Sequence, residues 1–186
     1  MKARIDKFHP ELVTYKDADG NELKVFVEPV VSEAVVYIFG GGHVSKQIGP
    51  IAHLVGFSVV VIDDRSEFSN PENYPYAKDV ITSSFDNVME KLPVNESSYL
   101  VIVTRGHAHD KTVLAQALKT PAKYIGMIGS SRKIRIIYQN LIREGFTQEQ
   151  IDAVHAPIGL EICAETPEEI AVAIVGELIK VRAGGE

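Results

Sequence analysis

Tryptophan is absent from this chain of 186 residues, and cysteine occurs once, at Cys163. A single cysteine excludes an internal disulfide and any thiolate cluster of the kind that holds zinc or an iron–sulfur centre. Long apolar runs are missing too: none approaches the roughly 18 residues of a membrane span, and the first 30 residues lack the basic, apolar and small-residue succession of a signal peptide. Positive charge is in deficit, with 19 Lys and Arg against 25 Asp and Glu and a net charge of -6. A nucleic-acid partner generally demands a clustered basic face, so it is not expected here. These absences leave a cytosolic protein with one main domain and no membrane partner. A composition of 45% apolar and 24% charged residues suits a substantial core.

What the chain does have is an organising stretch, AVVYIFGGGH at residues 34–43. The β-branched and aromatic run Val35–Phe39 stops at three glycines, and an amphipathic stretch from Val44 to Val55 begins at once. The pattern predicts a strand covered on both faces, a tight turn and a helix. Gly40 and Gly42 stand where a G-x-G-x-x-G turn needs them, with Gly41 between them and Ser45 in the third glycine position. Glycine lets the backbone approach a phosphate while the helix start offers N–H groups and the positive end of its dipole. A second apolar run, Phe57–Ile62, ends at Asp63, 23 residues after Gly40, where a dinucleotide fold carries its ribose-binding acid. Asp63 would accept from a ribose 2′-hydroxyl and repel a 2′-phosphate, with Arg65 offsetting part of that repulsion, so NAD is expected over NADP. The alternative is a doubly wound domain whose glycine turn binds nothing.

Before this unit, residues 12–29 alternate around Asp17-Ala18-Asp19-Gly20-Asn21 and predict a β-hairpin. The acidic string places its glycine too early for a calcium loop and reads as a solvated turn. Residues 1–30 therefore form a hairpin extension and 31–186 the main domain. After Asp64 an irregular excursion rich in Asn, Pro, Ser and Tyr crosses the ligand end of the sheet. Strands at 78–82, 99–103 and 124–128 follow, with helices at 85–92, 111–118 and 131–144. The last helix opens at Thr166-Pro167-Glu168-Glu169, a capping-box sequence with proline in the first helical position. The sum is an α/β fold: a Rossmann-like doubly wound parallel sheet with helices on both faces, its first strand central, preceded by the N-terminal hairpin.

Chemistry should collect where strand C-termini meet the switch in strand order. There the fourth strand of the main sheet delivers Thr104-Arg105-Gly106-His107-Ala108-His109-Asp110 on a loop. His107 and His109 with Asp110 have the composition of a metal site; Arg105, His107 and His109 equally suit cofactor contact, and Asp110 suits capping of the next helix. His43, at the first helix start, either meets a ligand or packs against that loop. Gly129-Ser130-Ser131, followed by Arg132 and Lys133, is either a second phosphate cradle or a serine-capped helix. Cys163 reads as a small buried hydrophobe.

Five strings in order, IFGGGHVSKQIGPIAHLVGFSVVVIDDR, VTRGHAHD, YIGMIGSSRK, HAPIGLEI and TPEEIAVAIVGELI, resemble the C-terminal domain of the XdhC/CoxI family, the xanthine dehydrogenase accessory proteins. The resemblance implies a Rossmann-like domain that assists maturation of molybdenum hydroxylases. It would hold the molybdenum cofactor, as molybdopterin or its dinucleotide form, for sulfuration and delivery to the apo-enzyme, and NAD is a further candidate. The candidate cofactor-binding set is Gly40, Gly41, Gly42, His43, Asp63, Arg65, Arg105, His107, His109, Gly129, Ser130 and Ser131, with His107, His109 and Asp110 as the candidate metal ligands. Longer family members carry an additional N-terminal domain, so a separate N-terminal-domain protein or a sulfurtransferase is an expected partner beside the hydroxylase apo-enzyme. Apolar residues of the hairpin and the terminal helix, with that partner domain absent, lead to the expectation of a homodimer. Two other classes use the same turn. One is an NAD(P)-binding regulatory module, which needs no catalytic residues; the other is a small nicotinamide-dependent oxidoreductase, for which no Tyr-x-x-x-Lys pair is present.

Overall fold

The computed structural model describes residues 10–16, 20–28 and 32–185, apart from the side chains of Glu11 and His107. Alternating apolar residues near the start form an antiparallel pair, β1 (Glu11–Lys16) and β2 (Glu22–Val27), with Leu12 opposite Phe26, Val13 opposite Val25 and Tyr15 opposite Leu23. The acidic turn at Asp17-Ala18-Asp19 lies outside the described residues. The pair belongs to a unit of its own, Met1–Glu33, distinct from a larger unit, Ala34–Glu186.

In the larger unit the elements run in the order β3 (Val35–Phe39), α1 (His43–Leu54), β4 (Ser58–Asp63), β5 (Asp79–Thr82), β6 (Ser98–Ile102), α2 (His107–Ala117), β7 (Tyr124–Met127), α3 (Ser131–Arg143), α4 (Gln148–Asp152) and α5 (Pro167–Arg182). Five strands form one parallel sheet in the order β5-β4-β3-β6-β7, so the first strand is central as expected. The continuous apolar runs follow from burial on both faces. Val36 and Ile38 pack with Ile48 and Ala52 of α1 and Ile174 and Leu178 of α5. Tyr37 and Phe39 face the opposite side, with Leu114 of α2 and Ile137 and Leu141 of α3. The chain leaves β3 in one direction through α1 and β4 and returns to its other side as β6. The C-terminal ends of β3 and β6 therefore flank the switch point, the usual position of a ligand crevice in such sheets.

Several local expectations change. The helix expected over 111–118 begins at His107, because Gly106, at φ +88°, turns the chain directly from Thr104-Arg105 into the helix. His107 to Asp110 are consequently its first turn and not a loop. The helix expected over 85–92 shrinks to a 3-10 turn, Val88–Lys91, entered through Asn87 in the left-handed region. Past α4 the chain runs parallel to β7 along its edge, where the Met127 N–H donates to the His155 carbonyl and the His155 N–H to that of Ile125. This edge cover, which sequence patterning did not anticipate, occupies backbone groups that would otherwise invite pairing with another chain. Thr166 and Glu169 form the expected reciprocal cap at the start of α5.

Candidate functional site

Three glycines end β3, and they have different reasons to be there. Gly40 has φ +106°, and a Cβ on it would lie 2.5 Å from the Val103 carbonyl oxygen at the end of β6. A Cβ on Gly41 would lie 2.3 Å from the Phe68 carbonyl oxygen. Both are demanded by the protein's own chain. Only Gly42 faces open space, with nothing within 4 Å of an added Cβ. It is the N-cap of α1 in extended conformation, without a side-chain cap, and no acidic residue stands in the helix's first turn. The N–H groups opening α1 therefore keep their capacity to bind an anion. Ser45, 1% exposed, replaces the third glycine without leaving a polar group unmet, since its hydroxyl donates to the Gly40 carbonyl. His43 is exposed at the first helical position.

Asp63 ends β4 as its spacing predicts, but its carboxylate is already engaged. The Gly41 N–H donates to Oδ2 at 2.7 Å and the Arg65 N–H to Oδ1 at 3.0 Å. The Arg65 guanidinium adds a side-on fork, Nε to Oδ1 at 3.0 Å and Nη2 to Oδ2 at 3.1 Å. Burial raises the Asp63 carboxyl, yet the bonds from Arg65 and Gly41 and the guanidinium charge outweigh it and hold the group below its ordinary value. Arg65 in turn lies over the Phe68 ring, 3.6 Å from its centroid. Neither Phe68 nor Tyr74 stands out in the sequence, because both sit in the irregular excursion after β4. Tyr74 is 1% exposed, its hydroxyl has no hydrogen-bond partner among the described residues, and burial together with the Asp63 charge pushes its pKa up to about 12.

Across the switch point, α2 also starts without a side-chain cap. Arg105 is exposed immediately before it. Asp110, fully buried in the first turn, accepts from the Thr104 hydroxyl at 2.6 Å and is paired with Lys133 from α3, which also donates to the Ile128 carbonyl. A first-turn acid would ordinarily offset the helix dipole for an incoming anion, and Lys133 cancels that charge. His109 packs its ring 5.3 Å from that of Phe85, and the His107 side chain lies outside the described residues. The Asp110 carboxylate named as a candidate metal ligand is thus committed to Thr104 and Lys133. Among the described residues no three His, Cys, Asp or Glu side chains are gathered as metal ligands.

The second candidate cradle is capped by its own serine. The Ser130 hydroxyl accepts from the Lys133 N–H at 3.4 Å, while Ser130 and Ser131 are both exposed and Gly129 is half-buried. A cavity of about 550 Å³ runs along the outside of α3, lined by Ser131, Arg135, Tyr138 and Pro157 among others, and takes no residue from the glycine turn, β4 or α2. Cys163 is exposed, at φ +58°, and not buried as its hydrophobic character suggested. The segment carrying it, between β7's edge cover and α5, lines a surface cavity together with Ile158, Leu160, Ile170 and Ala173. A further polar cluster escaped sequence reasoning. Glu177 of α5 accepts from the Tyr124 hydroxyl and the Gly159 N–H and meets His155 Nδ1 at 3.2 Å. It ties α5 to the sheet edge near the start of β7, away from the strand ends that flank the switch point.

A parallel sheet of this order, with an uncapped glycine turn at its switch point, defines a Rossmann-like domain. The chain belongs to the XdhC Rossmann domain family, whose model matches residues 36–178. It is 30% identical over 164 residues to the uncharacterized protein YqeB of Escherichia coli (strain K12), covering 88% of this chain and 30% of that one. It is 27% identical over 158 residues to a probable xanthine dehydrogenase subunit of Bacillus subtilis (strain 168), covering 85% of this chain and 46% of the relative. The crystal structure of a xanthine dehydrogenase from Bacillus halodurans superimposes with a TM-score of 0.76 at 26% identity, over 92% of this chain and 48% of that chain. The chain thus spans less than half the length of each of these relatives. The five motifs resembled this family, and the family assignment agrees. No helix among the described residues is long and apolar enough to cross a membrane.

Proposed function

We propose that the chain is the cofactor-holding domain of an accessory factor for molybdenum hydroxylase maturation, working in the cytosol. The observation that carries this reading is the uncapped start of α1 beneath the open face of Gly42, in a domain of the XdhC family. The donor set fits a phosphate: first-turn N–H groups, no first-turn acid on α1, a second uncapped helix start on α2 whose acid is cancelled by Lys133, and Arg105 beside it. The molybdenum cofactor, as molybdopterin or its dinucleotide form, supplies the oxygen-transfer chemistry of the client enzyme. This chain would hold its phosphate on the N–H groups of Gly42, His43 and Val44, with Arg105 adding charge. A xanthine dehydrogenase-like apo-enzyme is the proposed recipient. The Bacillus subtilis relative, named as part of a xanthine dehydrogenase, supports that choice. A sulfurtransferase or a separate N-terminal-domain protein would complete the machinery, and the chain is proposed to work as a homodimer.

The test is Gly42→Asp, which places a carboxylate where the phosphate would sit. Aspartate is a favourable N-cap, so the fold should be retained. Molybdenum cofactor retained on the purified protein, read from the fluorescence of its oxidised pterin, should fall to background, as should activation of an apo-hydroxylase. Unchanged retention in a folded Gly42→Asp protein would overturn the reading.

A further inference from the structure

We infer that the glycine-turn site accepts a phosphomonoester and excludes dinucleotides, because the protein's own residues fill the place where a dinucleotide's ribose would lie. The inference rests on the phosphate reading above and narrows it: of the two cofactor forms named there it keeps molybdopterin and drops the dinucleotide form. In a dinucleotide fold the ribose sits between the glycine turn and the acid that ends the second strand of the unit. Here those two elements close on each other directly through the 2.7 Å bond from the Gly41 N–H to Asp63 Oδ2. A carboxylate offers about four acceptor positions, and Asp63 receives four N–H contacts from Gly41 and Arg65, leaving none for a ribose hydroxyl. Above them sits the excursion after β4. The Phe68 carbonyl oxygen and the Tyr74 hydroxyl lie 2.3 Å and 3.1 Å from the point where a Gly41 Cβ would be.

This cover is fastened in place. The Phe68 and Ser69 N–H groups both donate to the Arg65 carbonyl, as does the Ser69 hydroxyl, which also meets the Thr82 hydroxyl of β5 at 2.7 Å. Asn73 donates to the Glu67 carbonyl and accepts from Lys46 of α1, so the far end of the excursion is tied to the helix that opens the site. Tyr74 is sunk in the core. Arg65 faces three acids, Asp63, Asp64 and Glu67, so the β4 side of the turn carries no surplus positive charge for a second phosphate.

The other side of the turn is different in kind. Gly42 is open, and the uncapped starts of α1 and α2 follow three residues after Gly40 and Thr104, whose backbones are in contact. A terminal phosphomonoester concentrates about −1.5 to −2 charges on one phosphate near neutral pH, whereas a dinucleotide spreads a similar charge over two bridged phosphates, so the monoester suits a helix start more closely. The body of such a ligand would extend toward Arg105 and α2, away from Asp63.

The experiment is a fluorescence titration with flavin mononucleotide, a single terminal phosphate on a flat ring system, beside calorimetry with NAD on the purified chain. The expected result is saturable flavin mononucleotide binding, lost in Gly42→Asp, with NAD at least about 30-fold weaker. Releasing two of the Asp63 acceptor positions in Arg65→Ala should improve NAD binding by about tenfold and leave the mononucleotide within about threefold, if the variant melts as a folded protein. NAD binding as tight as the mononucleotide, and likewise lost in Gly42→Asp, would overturn the inference and leave the phosphate reading intact. Binding of neither probe, or binding indifferent to Gly42→Asp, would overturn both.

Discussion

Two junctions in this domain look alike as strings, Gly40–Val44 before α1 and Gly129–Lys133 before α3: each takes a strand through small residues into a helix. They end in opposite states. Ahead of α3, Ser130 turns its own hydroxyl onto the Lys133 N–H, and the basic side chain of Lys133 is drawn inward to Asp110 and the Ile128 carbonyl. Ahead of α1, glycine occupies the cap position and no side chain is available to satisfy the helix start. A helix N-terminus is an anion site only while its own sequence leaves it unsatisfied. The first junction is therefore the candidate seat, and the second supports it by supplying the cation that neutralises Asp110.

The strongest way to break this comparison is to remove that support. Lys133→Met leaves Asp110 buried without its counter-charge, and a loss of about 3 kcal/mol is expected in chemical denaturation. A loss under about 1 kcal/mol would mean that the pair does not organise the α2–α3 side of the crevice. Gly40→Ala should cost a similar amount, about 3 kcal/mol, since it combines a positive φ with a Cβ driven into the Val103 carbonyl. Gly42→Ala, two residues on in open space, should cost only about 0.5 kcal/mol. Equal destabilisation by the two alanines would erase the distinction between a glycine needed for packing and one left open for a ligand.

Acid should expose the clamp beside the turn. The folded Asp63 carboxyl is held below its ordinary 3.8, so its contribution is complete above that value and is lost as pH falls through the lower folded value. Melting wild type and Asp63→Asn from pH 7 downward should show a gap that narrows only below about pH 4 and closes under more acidic conditions. A gap constant across that range would show that the carboxylate charge is not what joins Gly41 to Arg65. The smallest effect sharpens the contrast at the helix starts. Ser130→Ala removes a cap whose bond is long, 3.4 Å, and should cost about 0.5 kcal/mol with cofactor retention unchanged, whereas Gly42→Ser adds a cap and should reduce retention while leaving stability within about 0.5 kcal/mol. Cofactor retention and thermal melts on the two variants check the pair.

Much of this fold was legible because two-sided burial leaves an unbroken apolar run in the chain. Val35–Phe39 and Val59–Ile62 cannot be written otherwise if both faces of β3 and β4 are to be covered. The cap of α5 was equally readable, since Thr166 and Glu169 satisfy each other within four residues. The start of α2 was not, because its cap is glycine in a positive-φ conformation and bears no side chain to announce it. Cys163 misled for a related reason: hydrophobic character gives a tendency to be buried, but exposure is decided by where the backbone passes.

The candidate site divides along the same line. Spacing along the chain placed Gly42 at a helix start and Asp63 at a strand end, because both positions follow from the lengths of a strand, a turn and a helix. Which partners those residues meet depended on segments distant in sequence. Phe68 and Tyr74 close over Gly41, Val103 approaches Gly40, and Lys133 reaches Asp110 from another helix. Local sequence determined the elements and their order, since propensity and periodicity act over a few residues. Only the tertiary structure decided which side of the glycine turn stays open, since that is set by contacts between segments brought together by packing the two faces of the sheet.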